Sequence, residues 1–213
     1  MGSWIEEMRA DQAGFWEARY SSGSPASSGR PGEMLRRFVE PLAPGRALEL
    51  GCGKGDDAVW LAGQGWTVTA VEISQTALDY AAANAAKAGV ADRIAFERHD
   101  LTQTFPEGLY DLIAASFLAA HPREAVFQRA AQAVARGGHL LIVDHGSRAP
   151  WSWSDEDAQF PTAEETLASL LVNEGDWERV QVGGMERIAN GPDGQTATVL
   201  DNVTLLRRVG NAG

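Results

Sequence analysis

The chain has 213 residues, 44% of them apolar, which is enough for one sizeable core. Lys and Arg number 18 against 29 Asp and Glu, a net charge of −11; so acidic a surface repels phosphate backbones, which argues against a nucleic-acid substrate and for a small molecule. The one cysteine, Cys52, excludes an internal disulfide and suits a reducing, cytoplasmic setting; no apolar run reaches the ~20 residues of a membrane span, and MGSWIEEMRAD lacks the basic-then-apolar order of a secretion signal.

Residues 1–20 read as one helix, with Trp4, Met8, Phe15 and Trp16 on an uneven apolar face. SSGSPASSGRPG, residues 21–32, reads as a flexible loop that cannot build a core of its own. Helical spacing resumes over 34–42 through Leu35, Phe38, Val39 and Leu42, and Pro44-Gly45 closes it. Strands are expected at 46–50, 67–72, 94–99, 110–115 and 139–144, with helices at 57–63, 75–88 and 123–135 between them, and Gly137-Gly138 marking the end of the last. Such alternation predicts βαβ units and a largely parallel sheet covered on both faces. A polar and aromatic loop follows, then a helix at 163–172. Two longer strands at 177–188 and 198–207 flank NGPDG, which is hairpin chemistry, so this last pair is antiparallel. One domain is expected, with residues 1–45 as an N-terminal helical segment and 46–213 as an α/β core.

The most informative stretch is ALELGCGKGDD, residues 47–57. A buried strand ends in Gly51, Gly53 and Gly55, which let the backbone bend with positive φ and a ligand approach without meeting a Cβ, while the first turn of the next helix offers free N–H groups. A phosphate-binding loop needs Lys-Ser/Thr after its last glycine and the dinucleotide fingerprint needs G-x-G-x-x-G; this turn has neither. Asp56 and Asp57 just past it would repel a pyrophosphate and tolerate or attract a cationic ligand. Cys52, inside the turn, reads mainly as packing, with a reactive thiol as the lesser alternative.

With Glu49 on the strand, the pattern E-x-G-x-G-x-G resembles the first motif of the class I S-adenosylmethionine-dependent methyltransferases. That resemblance implies a Rossmann-like seven-stranded sheet whose last strand is inserted antiparallel, with S-adenosyl-L-methionine as cofactor and S-adenosyl-L-homocysteine as product. It implies cofactor contacts from Glu49, Gly51, Cys52, Gly53 and Gly55. Glu72, some twenty positions past the glycines at the end of the second strand, suits the ribose hydroxyls, although a helix cap before Ser74 is the alternative; Ile73 would lie on the adenine. Asp100 and Leu101 match the positions that meet the adenine amino group and ring, although Asp100 equally suits the start of a turn before Thr102. Ser116 and Phe117 stand where the family brings backbone carbonyls and an aromatic near the transferred methyl. The fourth strand's ASFL lacks the N/D-P-P-Y/F of enzymes that methylate DNA or protein glutamine, which disfavours those substrates.

FWEARY, residues 15–20, and the loop after it resemble the small-molecule branch that includes tellurite-resistance and thiopurine methyltransferases. In that branch a leading helix folds over the cofactor, which would bring Trp16 and Tyr20 to the sulfonium or the substrate and Arg30 to the cofactor's carboxylate; the alternative is that Phe15 and Trp16 anchor the helix to the core. His145 and His121 lie after strands on the ligand side and are the candidate general bases for an O–H, N–H or S–H acceptor. The histidines have no metal-ligand spacing. Trp151, Trp153 and Phe160 either wall an acceptor pocket or seal a sheet edge or oligomer contact. The reading is methyl transfer to a small molecule by a monomer or homodimer, with no nucleic acid or membrane as partner. Its rivals are a non-catalytic S-adenosylmethionine-binding protein and another nucleotide-dependent Rossmann enzyme.

Overall fold

The structure is a computed structural model and describes residues 4–152 and 159–210. Among the described residues seven strands form one sheet in the order β3-β2-β1-β4-β5-β7-β6, where β1 is Arg46–Leu50, β2 Thr67–Glu72, β3 Ile94–Arg98, β4 Tyr110–Ser116, β5 Val134–His145, β6 Trp177–Asn190 and β7 Thr196–Arg208. The first five run parallel; β7 lies antiparallel between β5 and β6, so the expected insertion is present. The helices are α1 (Trp4–Ala10), α2 (Gln12–Ser21), α3 (Glu33–Val39), α4 (Asp56–Gly63), α5 (Gln75–Ala88), α6 (Arg123–Ala133) and α7 (Ala163–Ser169).

Two cores, one on each face of the sheet, follow from the strand alternation. Ala47 and Ala114 turn toward Met34, Leu35, Leu61, Trp66 and Leu78 of the face carrying α3, α4 and α5, while Leu48, Leu50 and Ile113 turn toward Val126 and Phe127 of α6 and Leu170 beyond α7. Burying each of the larger aliphatic side chains and Phe127 is worth roughly 1.5–3 kcal/mol. The order reverses between β1 and β4, so the crevice beyond their carboxyl ends lies at the switch point, where ligands bind in open α/β sheets.

Some sequence expectations need correction. The single helix over 1–20 is two: Asp11 leaves helical geometry (φ −152°, ψ 85°) and its carboxylate caps α2 by accepting from Gly14 N at 2.9 Å. The helix of 123–135 stops at Ala133, and Gly137-Gly138 does not end it. Both glycines lie within β5, at a shift of register in which Tyr110 pairs with Val134 and Leu112 with His139. Gly137 has φ +82°, and a Cβ on Gly138 would sit 2.9 Å from the Asp111 carbonyl oxygen. The helices at 34–42 and 163–172 are shorter than read, while β6 and β7 are longer because each pairs along its full length.

The Ser/Gly/Pro loop is fastened. Ser28 N and Oγ donate to Asp56 Oδ2 at 3.0 and 2.7 Å, Gly29 N to Asp56 Oδ1 at 3.0 Å and Gly32 N to Asp57 Oδ1 at 2.6 Å, while Lys54 Nζ donates to the Ser24 and Ala26 carbonyls. The two carboxylates expected to face a cationic ligand are therefore engaged with the chain's own backbone.

Candidate active site at the switch point

Gly51 follows β1, Glu72 ends β2, Asp100 and Leu101 follow β3, and Phe117 follows β4; parallel strands with their carboxyl ends on one side bring all of these to one cleft. Ile73, His99 and Leu118 complete its floor, and Gln12, Trp16 and Tyr20 of α2 lie across its mouth. Gly51 and Gly53 have φ of +74° and +52°, and a Cβ on Gly53 would come 2.9 Å from Tyr20 Oη. Gly55 serves helix packing and does not line the cleft. It begins α4 in the left-handed region (φ +81°), and a Cβ there would meet the Ala81 Cβ of α5 at 2.9 Å.

Glu72 is buried, and its carboxylate accepts from Gly53 N (3.0 Å), Ile73 N (2.8 Å) and Ser74 N (3.2 Å). Burial raises its pKa against the pull of those donors. It thereby ties the glycine turn to the start of α5, while Ser74 is the helix cap proper, its Oγ accepting from Ala77 N at 3.1 Å. Asp100 does form a local turn, its Oδ1 accepting from Thr102 N (3.0 Å) and Oγ1 (2.7 Å), and it also lines the cleft. Behind the turn, Glu49 is 5% exposed and its Oε2 has no hydrogen-bond partner; burial first, then the charges of Asp57, Glu72 and Asp56, push its pKa well above the carboxylate range. Cys52 is buried, and burial followed by Glu49 and Glu72 raises its thiol pKa, which makes it an inert packing residue.

The N-terminal helix pair is latched over this cleft. The Glu17 carboxylate accepts from Thr76 Oγ1 (2.5 Å), Ser74 Oγ (2.8 Å) and Thr76 N (3.3 Å) at the start of α5, and these bonds, those of Thr76 and Ser74 foremost, pull its pKa down to about 2. Gln12 grips the loop after β4 with both ends of its amide, Nε2 donating to the His121 carbonyl and Oε1 accepting from His121 N, each at 2.8 Å. The Tyr20 hydroxyl is held in its neutral form by burial and by the Glu72 charge.

Phe117 divides three cavities. Its φ of +56° is a strained conformation for an aromatic residue, a feature that clusters at functional sites. On one side is the cleft just described. On another is a chamber of ≈ 400 Å³ walled by Trp4, Trp16, Phe117, Trp151, Phe160 and His145. Gly191 leaves room for the Trp151 ring against the β6–β7 turn. The His145 ring stacks on Phe117 at 4.3 Å between centroids and meets Phe160 at 5.8 Å. The residue is exposed overall, but desolvation among these rings, the largest cause, and Arg187 lower its pKa against the opposing pull of Asp201 and Asp144, which favours the neutral imidazole. A third cavity holds Arg30 and Ser116, whose Oγ donates to Asp57 Oδ2 at 3.0 Å, together with Arg187 and Asp201.

Of the residues named from sequence, Trp16, Tyr20, Gly51, Glu72, Ile73, Asp100, Leu101 and Phe117 line the first cleft, His145 lines the chamber, and Arg30 and Ser116 line the third cavity. His121 lines none of the three; it is exposed and engages Gln12 through its backbone. Trp153 lies outside the described residues. Sequence reading passed over Gln12, His99, Arg187 and Asp201. The last two sit in the C-terminal strands, where no motif points to them and only sheet pairing brings them to Phe117.

The fold and the crevice define an open α/β protein of the Rossmann-like kind with a cleft at its switch point. Residues 47–138 match the family model described as a methyltransferase domain. It is 30% identical over 135 residues, 62% of this chain and 49% of the other, to the 27-O-demethylrifamycin SV methyltransferase of Amycolatopsis mediterranei. It is also 30% identical over 143 residues, 64% of this chain and 63% of the other, to the probable thiol methyltransferase 2 of Arabidopsis thaliana. Among solved structures it resembles TehB from Haemophilus influenzae in fold, with a TM-score of 0.65, 19% identity and coverage of 91% of this chain and 66% of that one. The chain matches about half the length of the curated relatives that head the comparison.

Proposed function

We propose that the protein is an S-adenosyl-L-methionine-dependent methyltransferase that moves a methyl group to the S, O or N atom of a small molecule. The observation that carries this reading is the junction at Phe117 and Trp16. A cleft edged by Gly51, Glu72 and Asp100 meets an aromatic chamber there, so a donor and an acceptor would come face to face. The relatives named above act, by their names, on an O and on a thiol acceptor.

The residues fit the cofactor. Glu72 has unused acceptor capacity for ribose hydroxyls beyond the three N–H groups it holds, Ile73 and Leu101 offer apolar faces to a purine, and Asp100 can accept from its amino group. Glu49, with an orphaned buried oxygen, would pair with an ammonium group on giving up its proton, and Arg30 suits a carboxylate. Trp16, Tyr20 and Phe117 present π faces to a sulfonium. The cofactor would supply an electrophilic methyl; the chain's residues align the acceptor behind it and exclude water. His145, neutral and facing the chamber, takes the acceptor's proton where there is one to take. The free space under α2 is ≈ 90 Å³, below the ~300–1,000 Å³ of small-molecule sites, so α2 acts as a lid that lifts for exchange.

The test is thermal unfolding with S-adenosyl-L-homocysteine: at a hundred times its Kd the product should stabilise the protein by ~2.7 kcal/mol, and isotopically labelled S-adenosylmethionine should transfer label to a member of an acceptor panel. Stabilisation by NADH and not by S-adenosylhomocysteine selects another nucleotide enzyme, and binding without turnover of any acceptor selects a binding protein.

A further inference from the structure

The chamber is unusual in charge for so acidic a chain: among the described residues no carboxylate lines it, and its one formal charge is Arg187 of β6. Arg187 is held from behind. Its Nε donates to Asp201 Oδ2 at 2.6 Å, and Asp201, on the adjacent β7, is 1% exposed. Asp201 Oδ1 is buried and has no hydrogen-bond partner among the described residues. The guanidinium carbon lies 5.8 Å from the Phe117 ring centroid, the same ring on which His145 stacks. Among the described residues Arg187 spends only Nε on a partner, so its two terminal nitrogens form the fork that pairs bidentately with a carboxylate. Burying an aspartate to fix one arginine at the junction of two cavities is costly for stability alone, because buried ion pairs seldom outdo apolar packing.

Resting on the methyltransferase reading, we infer that the acceptor is a flat aromatic acid, its ring among Trp16, Phe117, Trp151 and Phe160 and its carboxylate on the terminal nitrogens of Arg187, with Asp201 as the residue that positions the arginine. The aromatic walls supply area for a planar ring, and the arginine supplies the charge discrimination that those walls lack. A neutral amide of the same shape would leave the guanidinium with weaker bonds, and an aliphatic acid would leave the rings without a partner.

The experiment measures quenching of tryptophan fluorescence in the full chain saturated with S-adenosylhomocysteine, using 2-naphthoate, 2-naphthamide and octanoate as probes. The expected result is that 2-naphthoate binds about tenfold or more tightly than either of the others, the margin of one charge-assisted bidentate pair. In Arg187→Gln the preference over the amide is lost. Arg187→Lys, which keeps the charge without the fork and is the milder change for Asp201, retains part of it. Asp201→Asn weakens 2-naphthoate with little effect on the amide, a selectivity that general destabilisation would not produce. Equal affinity for naphthoate and naphthamide overturns the proposal. So does a loss of S-adenosylhomocysteine affinity in Arg187→Lys with naphthoate binding intact, which would assign the arginine to the donor. If the wild-type chain fails to bind S-adenosylhomocysteine yet discriminates the two naphthyl probes, the proposed function falls and the chamber's selectivity stands.

Discussion

At the scale of single residues, the site depends on groups whose freedom has been removed. Gly53 is one: its φ of +52° and the Tyr20 hydroxyl 2.9 Å from its absent Cβ leave no room for a side chain. Gly53→Val should therefore abolish the thermal shift by S-adenosylhomocysteine. Glu72→Ala strips the acceptor from three N–H groups, each costing ~1–3 kcal/mol when left buried and unpaired, so it should lower the melting temperature as well as abolish binding; retained binding in both variants would move the site elsewhere. His145 makes a kinetic prediction. Its pKa lies below the usual 6.5, so the base form is complete at neutral pH and the acid limb of the kcat profile for a proton-bearing acceptor should fall below pH 6.5. His145→Ala should cost such an acceptor ~10²–10⁴-fold in kcat while S-adenosylhomocysteine affinity holds. These roles differ in how far the sequence announced them. Glu72 and Gly53 stand at fixed distances along a βαβ unit and are legible; Glu49 is legible as a motif residue, but its orphaned oxygen is a fact of packing.

At the scale of elements, α2 is attached by few polar bonds to groups that belong to the site. Glu17 holds the start of α5, adjacent to Glu72 and Ile73, and Gln12 holds the loop that carries Phe117 toward α6. If α2 lifts for ligand exchange, Glu17→Gln combined with Gln12→Ala should speed both association and dissociation of S-adenosylhomocysteine in stopped-flow fluorescence, with a smaller change in Kd than in either rate. Unchanged rates would mean that ligand passes elsewhere. The strands and α5 were legible because apolar alternation, Ser74 and Gly89 mark them locally. The break at Asp11 was missed because an acidic residue inside an apolar period reads as a polar face; only the bond from Gly14 N turns it into a cap. Gly137-Gly138 misled for a related reason, since a glycine pair after a helical run has the same local chemistry whether it ends a helix or lets a strand bulge past its neighbour.

The whole molecule carries a pH signature. Glu49, Asp57 and Glu72 have raised pKa values in the fold, burial being the first cause for each, so the folded chain binds protons that the unfolded chain releases, and stability falls as pH rises through the folded values. His139 and His145 are lowered, which costs stability below about 6.5, where the unfolded chain holds their protons. Above that pH both histidines are neutral in either state, and the raised carboxyls, joined at alkaline pH by the raised Cys52 thiol and Tyr20 hydroxyl, set a slope of one sign. The ligand-free melting temperature should therefore fall as pH rises above 6.5, and Glu49→Gln should lessen the fall. A flat profile in the parent chain would mean that Glu49 ionises freely and faces solvent.

The sequence by itself determined the alternation of strands and helices, the antiparallel end of the sheet, and the glycine turn with its acidic partners on successive strands. Each of those is written in local periodicity and in spacings along the chain. Only the tertiary structure decided what the acidic pair Asp56 and Asp57 holds, which histidine faces the aromatic chamber, and that Arg187 and Asp201 reach Phe117 from strands seventy and more residues away. Contacts of that range are fixed by strand order and register, and neither is a property of any one stretch of chain.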